Sequence, residues 1–219
     1  MTEKMQKKLD NGREYRSMTM AVRAAQDDSK LMVEGYATTF GEPYVLYESK
    51  NYKFLERVDP HAFDECDMSD VIFQYDHEGR VFARTRNKTL ELTIDSKGLL
   101  VRADLSGTDE GKKLHQEIAG GYTDRMSFGF VVAEDKREYI EDVNAGTVTY
   151  TRTITKISKL YDVSAVSIPA NDMTSISARK FSDGVISEFE SERICRFSSC
   201  HCRRAGMLPE MTSRIEAPP

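Results

Sequence analysis

No stretch of the chain approaches the roughly 18 uncharged apolar residues that a membrane-crossing helix needs. Its first residues, MTEKMQKKLDNGREYR, carry charge with no apolar run behind them. The expectation is a soluble, unsecreted protein. Positive charge is also not in surplus: the formal net charge is −5 with 31% of residues charged, which gives no global basic field for nonspecific nucleic-acid binding. Neither nucleic acid nor a membrane is therefore an expected partner. Cysteine is scarce, with Cys66 alone and Cys195, Cys200 and Cys202 crowded near the end around His201. The CHC triplet puts adjacent ligands where one ion can hardly take them all, and no second CxxC pair exists. Reduced thiols, with no metal and no cofactor, are the expectation. The chain also lacks a GxSxG elbow, a glycine-rich phosphate loop, an HExxH helix, a DxDxDG calcium loop and any internal repeat. The common hydrolase, nucleotide and metal readings lose their support with them.

What is present is a chain of 219 residues, 39% hydrophobic, which is enough for one substantial core with loose ends. Residues 1–16 read as a mobile arm that adds little to the core, residues 17–180 as the folded domain, and residues 181–219 as a polar tail, mobile or processed. Within the domain, YRSMTMAVRA and LMVEGYATTFG read as a pair of opening strands, and residues 42–53 as a loop carrying tyrosines. Asp59 and Pro60 supply an N-cap and a first-turn proline for a short helix, PHAFDECD. The clearest hairpin joins Leu90, Leu92 and Ile94 to Leu99, Val101 and Ala103 across Asp95-Ser96-Lys97-Gly98. A helix then runs through GTDEGKKLHQEIAGG, capped by Thr108 or Asp109 and stopped by Gly120-Gly121. A second hairpin turns at Asn144-Ala145-Gly146 and leads into the β-branched strand KLYDVSAVSIPAN. Strands outnumber helices and succeed one another as antiparallel neighbours. The fold class is mainly β with peripheral helices (α+β), a small antiparallel barrel or curled sheet rather than a doubly wound parallel fold.

Two stretches carry residue types that do chemistry. In GYTDRMSFGFVV, Met126, Phe128, Phe130 and Val132 alternate along a half-buried strand, and Ser127 stands among them just after the glycine-ended helix. In VIFQYDH, Val71, Phe73, Tyr75 and His77 share one strand face, and Glu78-Gly79-Arg80 makes the next turn. A histidine there reaches both core and solvent, as a proton shuttle must; a half-buried histidine satisfied by a backbone carbonyl fits the same pattern.

The order of these pieces, EGYATTFG, ERVDPHAF, the strand ending in His77, the helix leading to Ser127 in MSFGF, and LYDVSAVSIPAN, resembles the prohead maturation proteases of tailed bacteriophages. Those are serine peptidases related in fold to the herpesvirus assemblins. The resemblance implies Ser127 as nucleophile, His77 as general base and Asp162 as the acid that orients the imidazole, with Asp124, Glu134 and Asp76 as rivals for the third place. It further implies an oxyanion site, for which the amide at Phe128 and the side chain of Arg125 are candidates. The implied function is cleavage of the major capsid protein and its scaffolding segment inside the procapsid in the host cytoplasm. Cleavage of the chain itself in its polar arms is a further expectation, and so is a homo-oligomer, a dimer on the assemblin pattern. Two rivals remain: a non-catalytic assembly module of the same ancestry, and a cysteine hydrolase using Cys66 with His77, which the acids flanking Cys66 oppose.

Overall fold

A computed structural model describes residues 12–18, 23–27, 30–142 and 146–167. The chain divides into two units, Met1–Arg179 and Lys180–Pro219, and the elements below belong to the first. The expected tail, with its three cysteines, lies outside the described residues. In chain order the elements are β1 (Glu14–Met18), β2 (Arg23–Asp27), β3 (Lys30–Thr39), β4 (Tyr44–Glu48), β5 (Tyr52–Val58), β6 (Ile72–Tyr75), β7 (Glu78–Arg84), β8 (Leu90–Ile94), β9 (Gly98–Asp104), α1 (Asp109–Ala119), β10 (Arg125–Asp142) and β11 (Thr147–Val166). A single turn of 3-10 helix, Thr85–Asn87, links β7 to β8.

The long antiparallel hairpin of β10 and β11 is the spine of the larger sheet, whose order is β1-β10-β11-β5-β4. The far edge of β11 is shared by two parallel partners, β5 along residues 148–154 and β6 along residues 162–165, and β7 pairs with β6. The smaller sheet runs β2-β3-β9-β8. Neither sheet returns to its first strand, so the molecule is mainly β with one described helix and its sheets do not close into a barrel. The reason lies in β11: its free edge is taken up by two short strands that lead outward to β4 and β7, which leaves open edges where a barrel would need a closing ladder.

Alternation puts Val33, Leu99, Val101, Ala103, Met126, Phe128, Phe130, Val163 and Ala165 into one buried core between the sheets. Phe128 stacks on Phe130 with ring centroids 4.3 Å apart, and Phe63 meets Phe128 at 6.5 Å. Helix α1 forms as its caps dictate. Thr108 Oγ1 accepts the Gly111 amide at 3.0 Å, Asp109 and Glu110 face the positive end of the helix, and Leu114 and Ile118 are buried. Gly121, at φ 75°, ends it and turns the chain toward β10.

Four local expectations are corrected. Residues 60–65 form successive turns instead of a helix, because the Ile157 amide takes the Ala62 carbonyl at 2.8 Å and Cys66 N–H donates to Phe63. Residues 42–53 are not a loop: they contain β4 and the start of β5, paired antiparallel. The first expected opening strand is divided: its start, in β1, pairs with β10 in the larger sheet, and only Arg23 and Ala24 at its end, in β2, pair with the second opening strand, β3. The arm expected to run through Arg16 ends earlier, for Glu14–Arg16 belong to β1, and Tyr15 and Arg16 are buried.

Replacing Thr108 by alanine removes one cap and is expected to lower stability by about 1 kcal/mol. Urea unfolding should show this as a lower midpoint with an unchanged slope.

Candidate active site

One ladder organises the site. In the pairing of β10 with β11, Ser127 faces Ser164 and Gly129 faces Asp162. Positions two apart on a strand share a face, so Ser127, Gly129, Asp162 and Ser164 line one side of the sheet while Met126, Phe128, Val163 and Ala165 enter the core on the other. Asp162 is thus carried into the next pair on the face that holds Ser127, although 162 and 127 are far apart in the chain.

His77 arrives from the hairpin of β6 and β7. The strand ends at Tyr75, not at His77, and Tyr75 pairs with Glu78 across a two-residue turn in which Asp76 and His77 both have positive φ, 47° and 59°. Turns of this primed kind match the twist of the flanking strands, but asparagine and glycine usually occupy them. The turn is therefore held from outside. Asp76 N–H donates to the Ala165 carbonyl at 3.0 Å, and the Asp76 carboxylate accepts the Ser167 amide at 3.2 Å. Because β6 runs beside β11 in register with Asp162 to Ala165, the turn delivers the imidazole to the face that holds Ser127 and Asp162.

There the three side chains meet. His77 Nδ1 is hydrogen-bonded to Asp162 Oδ2, and His77 Nε2 lies 2.6 Å from Ser127 Oγ. His77 is 5% exposed, Ser127 1% and Asp162 1%. A neutral ring that donates Nδ1–H to the carboxylate keeps its Nε2 lone pair for the hydroxyl, so the carboxylate selects the tautomer. The Ser164 hydroxyl donates to the same Asp162 oxygen at 3.3 Å. Tyr15 packs edge-on against the imidazole, centroids 4.4 Å apart. Burial and the neighbouring Asp162 charge push its phenol up from its ordinary value.

Of the oxyanion candidates, the Phe128 ring is in the core while its backbone lies opposite Arg16 of β1. Arg125 opens β10 on the Ser127 face, half-buried and 3.7 Å from Asp124. The rivals for the acid's place lie elsewhere: Asp124 and Glu134 are exposed, and Asp76 is occupied with Ser167. Cys66 packs beside the core and its thiol is pushed up to about 11 by burial, which disfavours a thiolate. No cluster fit to hold a metal ion occurs among the described residues.

Sequence reasoning missed the residues that make room for and cover this face. A Cβ on Gly129 would collide with Asp162 Oδ1 and stand 2.7 Å from Tyr15 Cε1, so only glycine admits both side chains. The clue was in SFGF: a lone glycine inside a strand marks a close approach. The cover is β1, paired antiparallel with β10 so that Ser17 faces Ser127, and the Ser127 hydroxyl oxygen lies 2.9 Å from the Arg16 carbonyl oxygen. Beneath it, Arg16 and Glu56 are wholly buried and hydrogen-bonded to each other. Glu14 accepts from Arg16 at 2.6 Å and from Arg152 at 2.6 Å, and Arg152 reaches on to Asp135 at 2.7 Å. Burial opposes ionisation of Glu14, but the Arg16 charge and the bonds from Arg152 outweigh it and hold the carboxyl at about 2. No long-range sequence pattern signals this network, because its members come from β1, β5, β10 and β11.

A model of the family described as caudovirus prohead serine protease matches residues 18–186 of the chain. No curated protein matches. Among solved structures, that of the bacteriophage T4 capsid assembly protease, gp21, is 13% identical, with 70% of this chain and 96% of that one covered and a TM-score of 0.40.

Gly129→Ala should displace Asp162 from the imidazole, which proton NMR would register as an upfield move of the His77 Nδ1 proton from its hydrogen-bonded position. A carboxyl held below its unfolded value stabilises the fold at every pH above that value and loses its effect as the pH falls through the folded one. Docking of β1 should thus be complete above about pH 5 and weaken toward pH 2, read in the Ser127→Ala variant as faster amide exchange at Tyr15.

Proposed function

Because the chain belongs to the caudovirus prohead serine protease family, we propose that it is a serine endopeptidase in which Ser127 is the nucleophile, His77 the general base and Asp162 the acid that orients the base. The observation that carries this reading is the unbroken line of buried contacts from Asp162 through His77 to Ser127. A serine hydroxyl is a poor nucleophile until a base removes its proton. On this reading His77 Nε2 takes that proton as Ser127 Oγ attacks the peptide carbonyl, and the Asp162 carboxylate stabilises the imidazolium that results. The same nitrogen returns the proton to the leaving amine, and water then releases the acyl group by the reverse sequence. The amide at Phe128, with Arg125 as a second candidate, supplies hydrogen bonds to the developing oxyanion.

The substrates, on this proposal, are the major capsid protein with its scaffolding segment, met inside the assembling procapsid, and the chain itself. An assemblin-like fold and a self-associating enzyme belong to the same proposal. Confinement to the procapsid keeps the peptidase from host proteins, which gives the family's assembly role a chemical rationale.

Coexpression with the capsid protein tests the reading. Wild type should shorten that protein and Ser127→Ala should leave it at full length. In purified enzyme Asp162→Asn should lower kcat about 10⁴-fold, because the amide no longer selects the reactive tautomer. Equal shortening by wild type and Ser127→Ala would overturn it.

A further inference from the structure

Strand β1 sits on β10 as an added peptide strand would. It is the end strand of its sheet and covers the β10 edge beside Ser127. The Ser127 hydroxyl lies 2.9 Å from the Arg16 carbonyl oxygen, so the peptide group within its reach is that of the Arg16–Ser17 bond. The side chain attached to that carbonyl is the arginine buried on the far face. Arg16 is 0% exposed and spans both oxygens of Glu56, itself 0% exposed, with Nη2 2.8 Å from Oε2 and Nε on Oε1. Tyr44 donates its hydroxyl to the same carboxylate at 2.5 Å, and the face of Phe130 lies 5.8 Å from the guanidinium.

These groups differ in where they come from. Glu56, Tyr44 and Phe130 belong to β5, β4 and β10, inside the fold, whereas Arg16 is brought by the outer strand. A carboxylate gripped at both oxygens matches the planar fork of arginine, and a lysine cannot reproduce the paired bonds. A leucine in the same place would leave Glu56 buried with its fork empty. If β1 departed, Arg152, 3.1 Å from Glu56 Oε2, would keep the carboxylate from standing bare.

We infer that Glu56, supported by Tyr44 and the Phe130 ring, forms the pocket that reads an arginine on the acyl side of the cleaved bond, and that Arg16–Ser17 is the chain's own first such bond. The inference rests on Ser127 being the nucleophile, as proposed above. Ser127 Oγ bonds to the Arg16 carbonyl carbon while its proton passes to His77 Nε2. The Arg16–Ser17 C–N bond breaks, and the Ser17 amine leaves with that proton. Water then hydrolyses the ester, releasing residues 1–16 with a new carboxylate at Arg16 and restoring the hydroxyl. The freed β10 edge and the emptied fork of Glu56 admit a second peptide as an antiparallel strand with its arginine in the same pocket.

Intact mass and N-terminal sequencing of the full-length protein test the first half. Wild type should acquire Ser17 as its N-terminus, Ser127→Ala should keep residues 1–16, and Arg16→Leu should cleave at this bond about 100-fold more slowly or worse. Peptides built on EYRSM, with arginine, lysine, leucine or glutamate at the third position, test the second half. Wild type should prefer arginine over leucine by about 100-fold or more in kcat/KM, and Glu56→Gln should shrink that preference at least about tenfold. Should Glu56→Gln not fold, Tyr44→Phe and the wild-type panel still decide. A new N-terminus elsewhere, retention of residues 1–16 by wild type, or an indifferent panel would overturn the inference. If wild type nevertheless shortens the capsid protein, only this inference falls. If it cleaves neither that protein nor any peptide, the peptidase reading falls too.

Discussion

Everything at this site depends on one register, the antiparallel pairing that sets Gly129 opposite Asp162 and Ser127 opposite Ser164. A slip of one residue would send Ser127 into the core and turn Phe128 and Phe130 outward. The apolar alternation of MSFGF therefore does more than bury phenylalanines: the drive to hide them fixes which way the hydroxyl points. Register shifts begin directly after Gly129, between Gly129 and Phe130, so the regular ladder ends where the site no longer needs it. Bulges of this kind bend a strand and re-aim the side chains beyond them.

The histidine is held against a conformational preference. Two consecutive non-glycine residues in the left-handed region cost about 1 kcal/mol or more each. The hydrogen bond from Asp76 N–H to the Ala165 carbonyl and the one its carboxylate accepts from the Ser167 amide, together with burial of the imidazole against Tyr15, offset that cost. The ion network below β1 has the same character. Charges taken from water are tolerated only when each finds partners, and breaking such a pair by removing one member costs about 3–5 kcal/mol. Glu14, Arg16, Glu56, Arg152 and Asp135 satisfy one another, so the outer strand is fastened by polar contacts on one face and by the Tyr15 ring on the other.

Much of this was legible in the residues. The Leu90–Ile94 hairpin and the helix capped at Thr108 arise from local chemistry, and both appear with the expected boundaries. Ser127, His77 and Asp162 were named together only through the family resemblance that an ordered set of segments carries, and the fold brings those three side chains into contact. What escaped was whatever depended on distant partners. PHAFDECD has a helix start, but the Ile157 amide takes the carbonyl that would have extended it. VIFQYDH alternates through His77, yet the primed turn begins at Asp76. Parallel pairing of β5 and β6 with β11 opens a sheet that the run of antiparallel neighbours had pointed toward closing. Arg16 and Glu56 look like ordinary surface charges until β1 and β5, held on either side of the β10–β11 hairpin, bury them together.

On the proposed function, the carboxylate, imidazole and hydroxyl in line make Ser127 unusually nucleophilic. A fluorophosphonate, which acylation-competent serines attack and ordinary ones do not, addresses it directly. The purified protein should carry one adduct per chain, located by peptide mass spectrometry at Ser127 and lost in His77→Ala. An unmodified Ser127, or an adduct that forms as readily without the histidine, would contradict it.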